Sequence, residues 1–276
     1  MANKEDTSVG SVASLWRYPV KSMMGEKVGS AYFTEHGMLG DRAYALVDKA
    51  TGKVASAKNP RKWPTLFGFA ASYVKPPQPR AAIPPVMIAL PGGGSVSSDS
   101  PDASRILASA LDREVALACG APESPVLEEY WPDLETLTHR DEVTDEAMPP
   151  ATFFDCSPVH LLTTATLARL AELYPEGRFE PRRFRPNILI AAPASAPAFL
   201  ENAWVGHTIA IGPEVRIRIT GNTGRCVMTT LAQDGLPRDL GILKTAALHN
   251  QANVGVYAEV VRAGVVHDDD QIRIVE

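Results

Sequence analysis

The stretch V-R-I-R-I-T-G-N-T-G-R-C-V-M-T-T, from Val215 to Thr230, gives the clearest indication of the fold. Its first five residues alternate apolar and basic side chains, the period-two pattern of a β-strand with one buried face. The strand runs into a glycine-flanked turn, where the backbone can approach a ligand closely. Cys226 follows two residues after the last glycine of that turn, Gly224. The stretch therefore predicts a β-strand that ends at a candidate functional cysteine.

Outward from this strand, most of the chain shows the same preference for short strands. Strands are predicted at 12–18, 28–33, 42–48, 86–90, 187–191, 207–211, 254–261 and 272–275. Thr51-Gly52 predicts a hairpin between 42–48 and 53–56. Helical spacing and capping residues predict helices over 102–111, 164–174 and 239–249. We therefore predict an α+β fold that is rich in strands and contains a few helices.

The composition bounds the class of protein. The chain has 276 residues, enough for one large domain or two modest ones. Its 45% hydrophobic and 21% charged residues exclude a disordered or collagen-like chain. A net charge of −5 argues against nucleic acid or an acidic membrane surface as a partner. No apolar stretch reaches the ~20 residues of a membrane helix, so no membrane association is expected.

The cysteine content bears on location. Three cysteines, Cys119, Cys156 and Cys226, are too few and too scattered for a disulfide framework. They predict a reducing, cytoplasmic environment.

Residues 121–150 show the most abrupt change in composition, with nine acidic residues against the single basic Arg140. We interpret the segment as a solvated connector or a substrate lid that carries Tyr130 and Trp131. It divides the chain into residues 11–120, 121–150 and 151–276. Outside it, 26 basic and 23 acidic residues leave a net charge of +3, which allows an anionic small ligand.

Common catalytic signatures are missing from the sequence. It contains no phosphate-binding G-x-x-x-x-G-K-[ST], no G-x-G-x-x-G, no H-E-x-x-H and no C-x-x-C. Nucleotide hydrolysis, dinucleotide binding and the common zinc sites therefore have no local support. The six histidines are dispersed, and His160, beside Leu161, is interpreted as a core histidine.

Cys226 is the first candidate for chemistry. Arg225 directly precedes it and favours the thiolate, the form that attacks electrophiles and binds metals. The alternative is a buried structural cysteine, because free cysteine is among the most buried residue types.

Three basic segments supply further candidates. In Arg182 to Arg185, one of three guanidiniums is expected to face a phosphate and two to face solvent. Lys21 and Ser22 offer an ammonium and a hydroxyl just after a strand end. The cluster Lys58, Arg61 and Lys62 forms either a solvated face or an anion-contacting loop.

Five motifs in a fixed order resemble the MOSC family, the molybdenum-cofactor-sulfurase C-terminal domain preceded by its N-terminal β-barrel domain. They are Y-P-V-K-S at 18–22, G-x-x-G-D-R at 37–42, D-C-S-P at 155–158, R-F-R-P-N at 183–187 and R-C-x-x-T-T at 225–230. The resemblance implies an N-terminal β-barrel-like domain over 11–120 and a MOSC β-barrel domain with a few helices over 151–276. It is strongest to the group that contains the mitochondrial amidoxime-reducing component and its bacterial relatives.

This resemblance implies a cytoplasmic oxidoreductase that reduces N-hydroxylated compounds, such as hydroxylamines, amidoximes and N-oxides, with a molybdenum cofactor (Mo-molybdopterin). Cys226 would be the thiolate ligand of molybdenum, a soft donor suited to a metal already held by dithiolene sulfurs. The implied cofactor-binding residues are Lys21, Ser22, Arg42, Ser157, Arg185, Asn187, Arg225 and Thr229. Asp155 is a candidate for proton handling, with turn capping as the alternative.

The sequence also departs from the family pattern. Because no ferredoxin-like cysteine cluster is present, electrons are expected from a separate electron-donor protein of ferredoxin or flavoprotein type. Cys156 stands where another small residue is usual and is interpreted as filling space, with a second thiol that alters reactivity near the metal as the alternative. The alternative function is a sulfur-carrier or cofactor-handling module in which Cys226 bears a persulfide. Metal analysis discriminates between the two.

Overall fold

The alternating segment forms the strand Val215–Gly224 in the computed structural model, which describes residues 7–133 and 139–275. The strands of this part of the chain are β1 Thr7–Arg17, β2 Glu26–Val28, β3 Ser30–Thr34, β4 Gly37–Met38, β5 Tyr44–Asp48, β6 Ala70–Tyr73, β7 Val86–Ala89, β8 Ser95–Ser97, β9 Val115–Cys119, β10 Val126–Trp131, β11 Glu142–Ala147, β12 Val159–Thr163, β13 Ile188–Ala191, β14 Thr208–Ile211, β15 Val215–Gly224, β16 Asn253–Arg262, β17 Gly264–His267 and β18 Gln271–Ile274. The helices are α1 Ala103–Leu111, α2 Thr164–Leu173, α3 Pro181–Phe184 and α4 Gly241–Asn250.

Seven strands close into a barrel in the order β13-β12-β16-β15-β14-β18-β1, and β1 pairs back to β13. Neighbouring strands are antiparallel except β12 and β13. That parallel pair needs a crossover connection, which α2 and α3 supply. Six of the barrel strands follow residue 158, whereas β1 comes from the other end of the sequence. The barrel therefore combines residues from both halves of the chain.

The barrel core explains why these segments form strands. Ile217, Ile219, Leu161, Ile190 and Ile272 are fully buried in one hydrophobic cluster. Each such side chain stabilises the fold by about 1.5–3 kcal/mol relative to exposure. Alternate residues of β15 remain at the surface, as the period-two pattern predicted.

Strands β5 to β9 form short sheets around a second core. β5 pairs with β9, and β6, β7 and β8 form a three-stranded sheet. Phe69, Leu107 and Ile88 lie at the centre of this core. β17, from the end of the chain, pairs with β3 and ties this half to the barrel. The predicted strand-rich α+β fold is confirmed.

The helices predicted at 102–111, 164–174 and 239–249 are confirmed as α1, α2 and α4 within one or two residues. Helix α3 was not predicted, because its four residues are too few for helical periodicity, although Pro181 occupies a first-turn position that proline favours. None of the helices in the described ranges is long and apolar enough to cross a membrane.

The hairpin predicted between 42–48 and 53–56 is present as a short pairing. Val47 and Val54 form an antiparallel bridge, the Asp48 N–H donates to the Lys53 carbonyl at 2.9 Å, and the Ala55 N–H donates to the Leu46 carbonyl at 2.8 Å. The longer partner of β5 is β9, so β5 pairs both with this local segment and with a distant strand.

The described parts of the acidic segment, residues 121–133 and 139–150, are more ordered than a solvated connector, and Glu135 lies outside the described residues. β10 and β11 form an antiparallel pair of six residue pairs, and Val54 donates its backbone N–H to the Val126 carbonyl at 2.8 Å. Its carboxylates bind the basic residues whose role the sequence left open. The ion pairs are Lys53–Asp145 at 2.6 Å, Lys58–Glu129 at 2.9 Å, Lys62–Glu128 at 2.9 Å and Arg61–Asp141 at 2.5 Å. The name "acidic hairpin" is used below for residues 126–131 and 142–147.

Candidate functional site

A cavity of about 360 Å³ is lined by residues from the barrel, from the first half of the chain and from the acidic hairpin. This volume lies in the range of roughly 300–1,000 Å³ that is typical of small-ligand sites. Every site residue predicted from the sequence lines it. They are Lys21, Ser22, Arg42, Asp155, Ser157, Arg185, Asn187, Arg225, Cys226 and Thr229. The structure brings these residues together, while their roles toward a cofactor stay predictions.

Cys226 reaches the cavity because β15 ends two residues before it. The chain then makes a short 3₁₀ turn, in which Thr229 donates its hydroxyl to the carbonyl of Cys226 at 3.1 Å. Met228 and Leu231 pack against the core of the first half, which fixes the turn between the two parts of the molecule. The Cys226 side chain is partly exposed to the cavity.

Burial raises the pKa of the Cys226 thiol to about 12, although the Lys58 ammonium opposes this effect. Arg225, which was expected to favour the thiolate, is turned elsewhere. Its guanidinium donates to the carbonyls of Val254 at 2.9 Å and Phe184 at 3.1 Å. The free protein therefore holds a protonated thiol, and a bound metal ion would have to displace that proton.

His160 is buried, as expected for a core histidine, but it also lines the cavity. The Arg225 guanidinium contacts its ring, and burial together with Arg225 holds the pKa of His160 well below its usual range. Gly255 makes this packing possible: its φ is +86° and a Cβ there would lie 2.3 Å from His160 Nε2. His160 is therefore a neutral part of the cavity wall.

Asp41 organises the first basic wall of the cavity. Its carboxylate accepts hydrogen bonds from the Tyr18 backbone N–H at 2.7 Å, from Asn187 Nδ2 at 2.9 Å and from the Arg42 guanidinium. Gly37 belongs to the same motif and has φ +101°, with its Cα packed against Pro158. The motif thus joins the loop after β3 to the loop that carries Asp155 and Ser157.

Two guanidiniums pack on the ring of Tyr18, that of Arg42 at 4.6 Å and that of Arg185 at 4.1 Å from the ring centre. Such cation–π contacts hold both cations at defined positions. Arg42, Arg185 and Ser22 also adopt left-handed backbone conformations, with φ of 47°, 54° and 62°. Non-glycine residues in that conformation cost free energy and concentrate at functional sites.

Lys21 and Asp155 form an ion pair of 2.5 Å at the cavity wall. Burial alone would raise the pKa of Asp155, but Lys21 and Lys58 outweigh it and hold that pKa well below its usual range. Asp155 is therefore a carboxylate at neutral pH, which argues against a proton donor and makes it only a weak proton acceptor. Ser157 donates its hydroxyl to the carbonyl of Ala258 at 2.9 Å, and the Ser22 hydroxyl oxygen accepts from Ala57 N–H at 3.0 Å.

The expectation for the arginine-rich segment is wrong in one respect. Arg183 as well as Arg185 is buried, so only Arg182 faces solvent to an appreciable extent. Arg183 donates to the carbonyls of Arg178, Thr229, Leu231 and Pro237 and braces the chain after Cys226. The Arg183 guanidinium thus supplies hydrogen-bond donors to backbone carbonyls that would otherwise have no partner in a loop.

Asn187 is also more structural than expected. Its side-chain oxygen accepts from His160 N–H at 3.0 Å, and its amide nitrogen donates to Asp41 and to the Trp16 carbonyl.

Several cavity residues were missed by the sequence analysis, most notably Lys58, Glu129 and Tyr257. Lys58 belonged to a cluster whose role stayed open, and Glu129 was read as one of nine solvated acids. Trp131 lines the cavity, whereas Tyr130 bonds Arg61 and Asp141 at the surface. Cys156 is exposed and lines the cavity, so filling of core space does not explain it.

The cavity carries an excess of positive charge. Six cationic side chains line it against two carboxylates, Glu129 and Asp155. Within residues 7–133 and 139–275, Arg185 and Arg225 contact carbonyl oxygens and rings and no carboxylate. Burial lowers the pKa of each to about 10, so both stay charged at neutral pH. Because an unpaired buried charge is costly, these residues fit an anionic ligand.

The soft donors that line this cavity are two free thiols, Cys226 and Cys156. In the described ranges, no group of three or more His, Cys, Asp or Glu side chains is arranged to hold a metal ion. Cys226 would therefore be one ligand of a metal whose other ligands belong to the molecule that carries it.

With this geometry in place, comparison with known proteins defines the class of the chain. The family model of the MOSC N-terminal beta barrel domain matches residues 9–101, and that of the MOSC domain matches residues 149–273. The chain is therefore a MOSC protein with both domains.

Curated relatives lie among the amidoxime-reducing components. The chain is 27% identical to the mitochondrial amidoxime-reducing component 1 of Mus musculus, over 82% of this chain and 67% of that protein. It is 25% identical to the mitochondrial amidoxime reducing component 2 of Rattus norvegicus, over 82% and 68%. A crystal structure of the YUAD protein from Bacillus subtilis has a TM-score of 0.48 at 11% identity, covering 96% of this chain and 95% of that one.

Proposed function

We propose that this protein is a molybdenum-cofactor-dependent reductase of N-oxygenated compounds. The observation that carries the proposal is the position of Cys226 in a cavity with more buried cations than carboxylates. A soft sulfur donor and several guanidiniums are the groups that a metal bound to an anionic pterin requires. The names of the curated relatives support a reductase of this kind.

The cavity residues divide into two sets of roles. Lys21, Arg42 and Arg185 would bind the phosphate and polar edge of the pterin, with Ser22 and Ser157 as hydroxyl donors or acceptors. Arg225, Asn187 and Thr229 hold the wall and the Cys226 turn in place through the hydrogen bonds described above. Cys226 would supply the thiolate ligand of molybdenum.

When bound, the molybdenum cofactor supplies the two-electron chemistry of the reaction. Reduction of an N–OH group breaks its N–O bond with two electrons and two protons, and releases water. The electrons would come from a separate donor protein of ferredoxin or flavoprotein type. The chain's own contribution is to orient the cofactor and to exchange protons at ionised groups such as the Asp155–Lys21 pair. We place this activity in the cytoplasm, on a small-molecule substrate and without nucleic acid or membrane.

The raised pKa of Cys226 bears on the alternative function, a persulfide-carrying module. Persulfide formation requires the thiolate as nucleophile, and a protonated thiol attacks slowly. Metal ligation instead provides a cation that replaces the proton. This difference favours the reductase.

Substitution of Cys226 by Ala tests the proposal. Protein made in a host that produces the cofactor should contain close to one molybdenum per chain and should reduce benzamidoxime with dithionite-reduced methyl viologen. Cys226→Ala should lose that activity by at least ~10³-fold, because the metal loses its protein ligand. Molybdenum analysis and initial rates are the measurements.

Cys119→Ala is the matched control, since Cys119 is an exposed thiol at the end of β9 and does not line the cavity. It should retain wild-type molybdenum content and activity. A wild-type protein without molybdenum that carries a persulfide on Cys226 would replace the reductase by the sulfur-carrier function.

A further inference from the structure

Cys156 lies on the cavity wall and has no role in the function proposed above. Its side chain is exposed, whereas Cys226, which lines the same cavity, is only partly exposed. An exposed thiol in positively charged surroundings is the arrangement of reactive cysteines, because the cations favour the thiolate that attacks. The charges around Cys156 therefore decide which reagents it selects.

The loop that carries Cys156 is anchored on both sides of the thiol. The residue before it, Asp155, forms the ion pair of 2.5 Å with Lys21. The residue after it, Ser157, donates its hydroxyl to a carbonyl of β16 at 2.9 Å. Because Lys21 neutralises Asp155, the carboxylate beside the thiol does not repel an anion that approaches it.

Arg185 provides a positive charge that the protein leaves available. Its side chain is 8% exposed and lines the cavity. Nη1 donates to the carbonyl of Met23 at 2.8 Å, whereas Nε and Nη2 make no hydrogen bond within residues 7–133 and 139–275. A buried guanidinium with two unused donor groups fits a carboxylate that enters the cavity.

Backbone contacts place Arg185 and Cys156 on neighbouring parts of the cavity wall. Asn187, two residues after Arg185, accepts a hydrogen bond from His160 N–H at 3.0 Å and donates its own N–H to the His160 carbonyl at 2.8 Å. His160 stands in β12, the strand that directly follows the loop of Cys156. An extended tripeptide spans about 10 Å, which is the scale of a cavity of about 360 Å³.

We propose that Cys156 is a modification site for anionic disulfides of the glutathione type, which the cations of the cavity select. The Cys156 thiolate attacks one sulfur of the disulfide, the S–S bond breaks, and the protein keeps one half as a mixed disulfide. The other half leaves as a thiolate and takes up the proton that Cys156 lost, so the cysteine is oxidised and the departing half is reduced. Arg185 binds a carboxylate of the half that stays.

The modification closes the cavity to other anionic ligands. A thiol that reduces the mixed disulfide opens it again, so the change is reversible. This inference goes beyond the proposed function, because it requires neither molybdenum nor an N-oxygenated substrate.

Three aliphatic disulfides that differ in charge provide the test: glutathione disulfide is anionic, hydroxyethyl disulfide is neutral and cystamine is cationic. The full chain, made in a host that lacks the molybdenum cofactor, is treated with each, and adducts are quantified by peptide mass spectrometry. Cys119, an exposed thiol that does not line the cavity, is the internal reference. Because both thiols meet the same reagent, the ratio of their rates removes differences in reagent reactivity.

We expect the ratio of the Cys156 rate to the Cys119 rate to be at least about tenfold higher with glutathione disulfide than with cystamine, and intermediate with the neutral reagent. Salt at about 1 M should weaken this preference, because it screens the cavity charges. The salt series uses the wild-type chain and so does not depend on whether a variant folds.

Arg185→Gln should lower the preference of Cys156 for glutathione disulfide by about threefold. Arg182→Gln is the matched control: it removes the same charge from the same segment, but Arg182 pairs with Glu180 and Asp234 and does not line the cavity. The control should leave the preference unchanged.

The outcomes separate this inference from the proposed function. Equal rate ratios with the three disulfides, adducts mainly on Cys119 or Cys226, or equal losses in the two arginine variants overturn the assignment of Cys156 and leave the reductase standing. A chain that shows the expected preference, but contains no molybdenum when it is made in a cofactor-producing host, contradicts the reductase and supports the modification site.

Discussion

Asp41 was not predicted as a site residue, but it holds several residues of the cavity wall in place. Its buried carboxylate bonds Tyr18, Arg42 and Asn187, which belong to three different segments. Removing its charge would leave the Arg42 guanidinium without its ion-pair partner and present an amide donor to other donors.

We therefore expect Asp41→Asn to lower the free energy of unfolding by about 3 kcal/mol. Urea denaturation measures the change. Glu35→Gln removes the same charge from a side chain that is 82% exposed, and should change the free energy of unfolding by less than about 0.5 kcal/mol. Equal effects of the two substitutions would show that Asp41 holds nothing together.

For single residues, the sequence predicted those site residues that stand in a short local motif. Cys226, Lys21 and Arg185 were all found from local residue patterns and do line one cavity. Lys58 and Glu129 were missed because 71 positions separate them, and neither stands in a local pattern that indicates a pair. The direction of Arg225 was missed because adjacency in sequence does not fix where a long side chain points.

Among the elements, the acidic hairpin is held beside the cavity by a small number of ion pairs with lysines. Lys62 is the clearest case, since its ammonium lies 2.8 Å from Asp48 and 2.9 Å from Glu128. It joins β5 to β10 through charges that are largely shielded from solvent.

Lys62→Met should therefore loosen β10 without unfolding the barrel. We expect the local opening free energy to fall by about 1 kcal/mol, which corresponds to roughly fivefold faster amide hydrogen exchange at Leu127 and Glu129. Lys49→Met removes an exposed lysine that pairs with Glu114 and does not touch the hairpin, so it should leave those amides unchanged. Unaltered exchange in Lys62→Met would mean that backbone pairing alone holds the strand.

Elements with a complete periodic signal were predictable, and α2 is an example, because its apolar residues repeat at helical spacing and Thr163 caps it through its hydroxyl. The acidic hairpin was not predictable in the same way. Its charges suggested a solvated chain, but their partners lie in residues 53–62, and only the fold brings the two segments together.

For the whole molecule, the position of β1 is decisive. Val12 and Leu15 are fully buried in the barrel core, and β1 pairs with both β13 and β18. Sequence reasoning gave the strand but not its partners, because pairing over more than 170 positions leaves no local trace.

Residues 149–276 produced alone should therefore fail to fold, although they contain the matched MOSC domain. Without β1 the barrel has two open edges and a core that lacks Val12 and Leu15. Thermal unfolding followed by near-ultraviolet circular dichroism should show a sharp transition for the full chain and none for the fragment. A cooperative transition in the fragment would show that six strands suffice.

The same closure governs the order of events during synthesis. A ribosome makes β1 first and β18 last of the seven barrel strands, so β1 stays without one of its two barrel partners until all the others have been made. An unpaired strand rich in apolar residues is prone to aggregation while it waits. The nascent chain would thus call for chaperone protection until the barrel closes, and the cavity that barrel residues help to line could form only then.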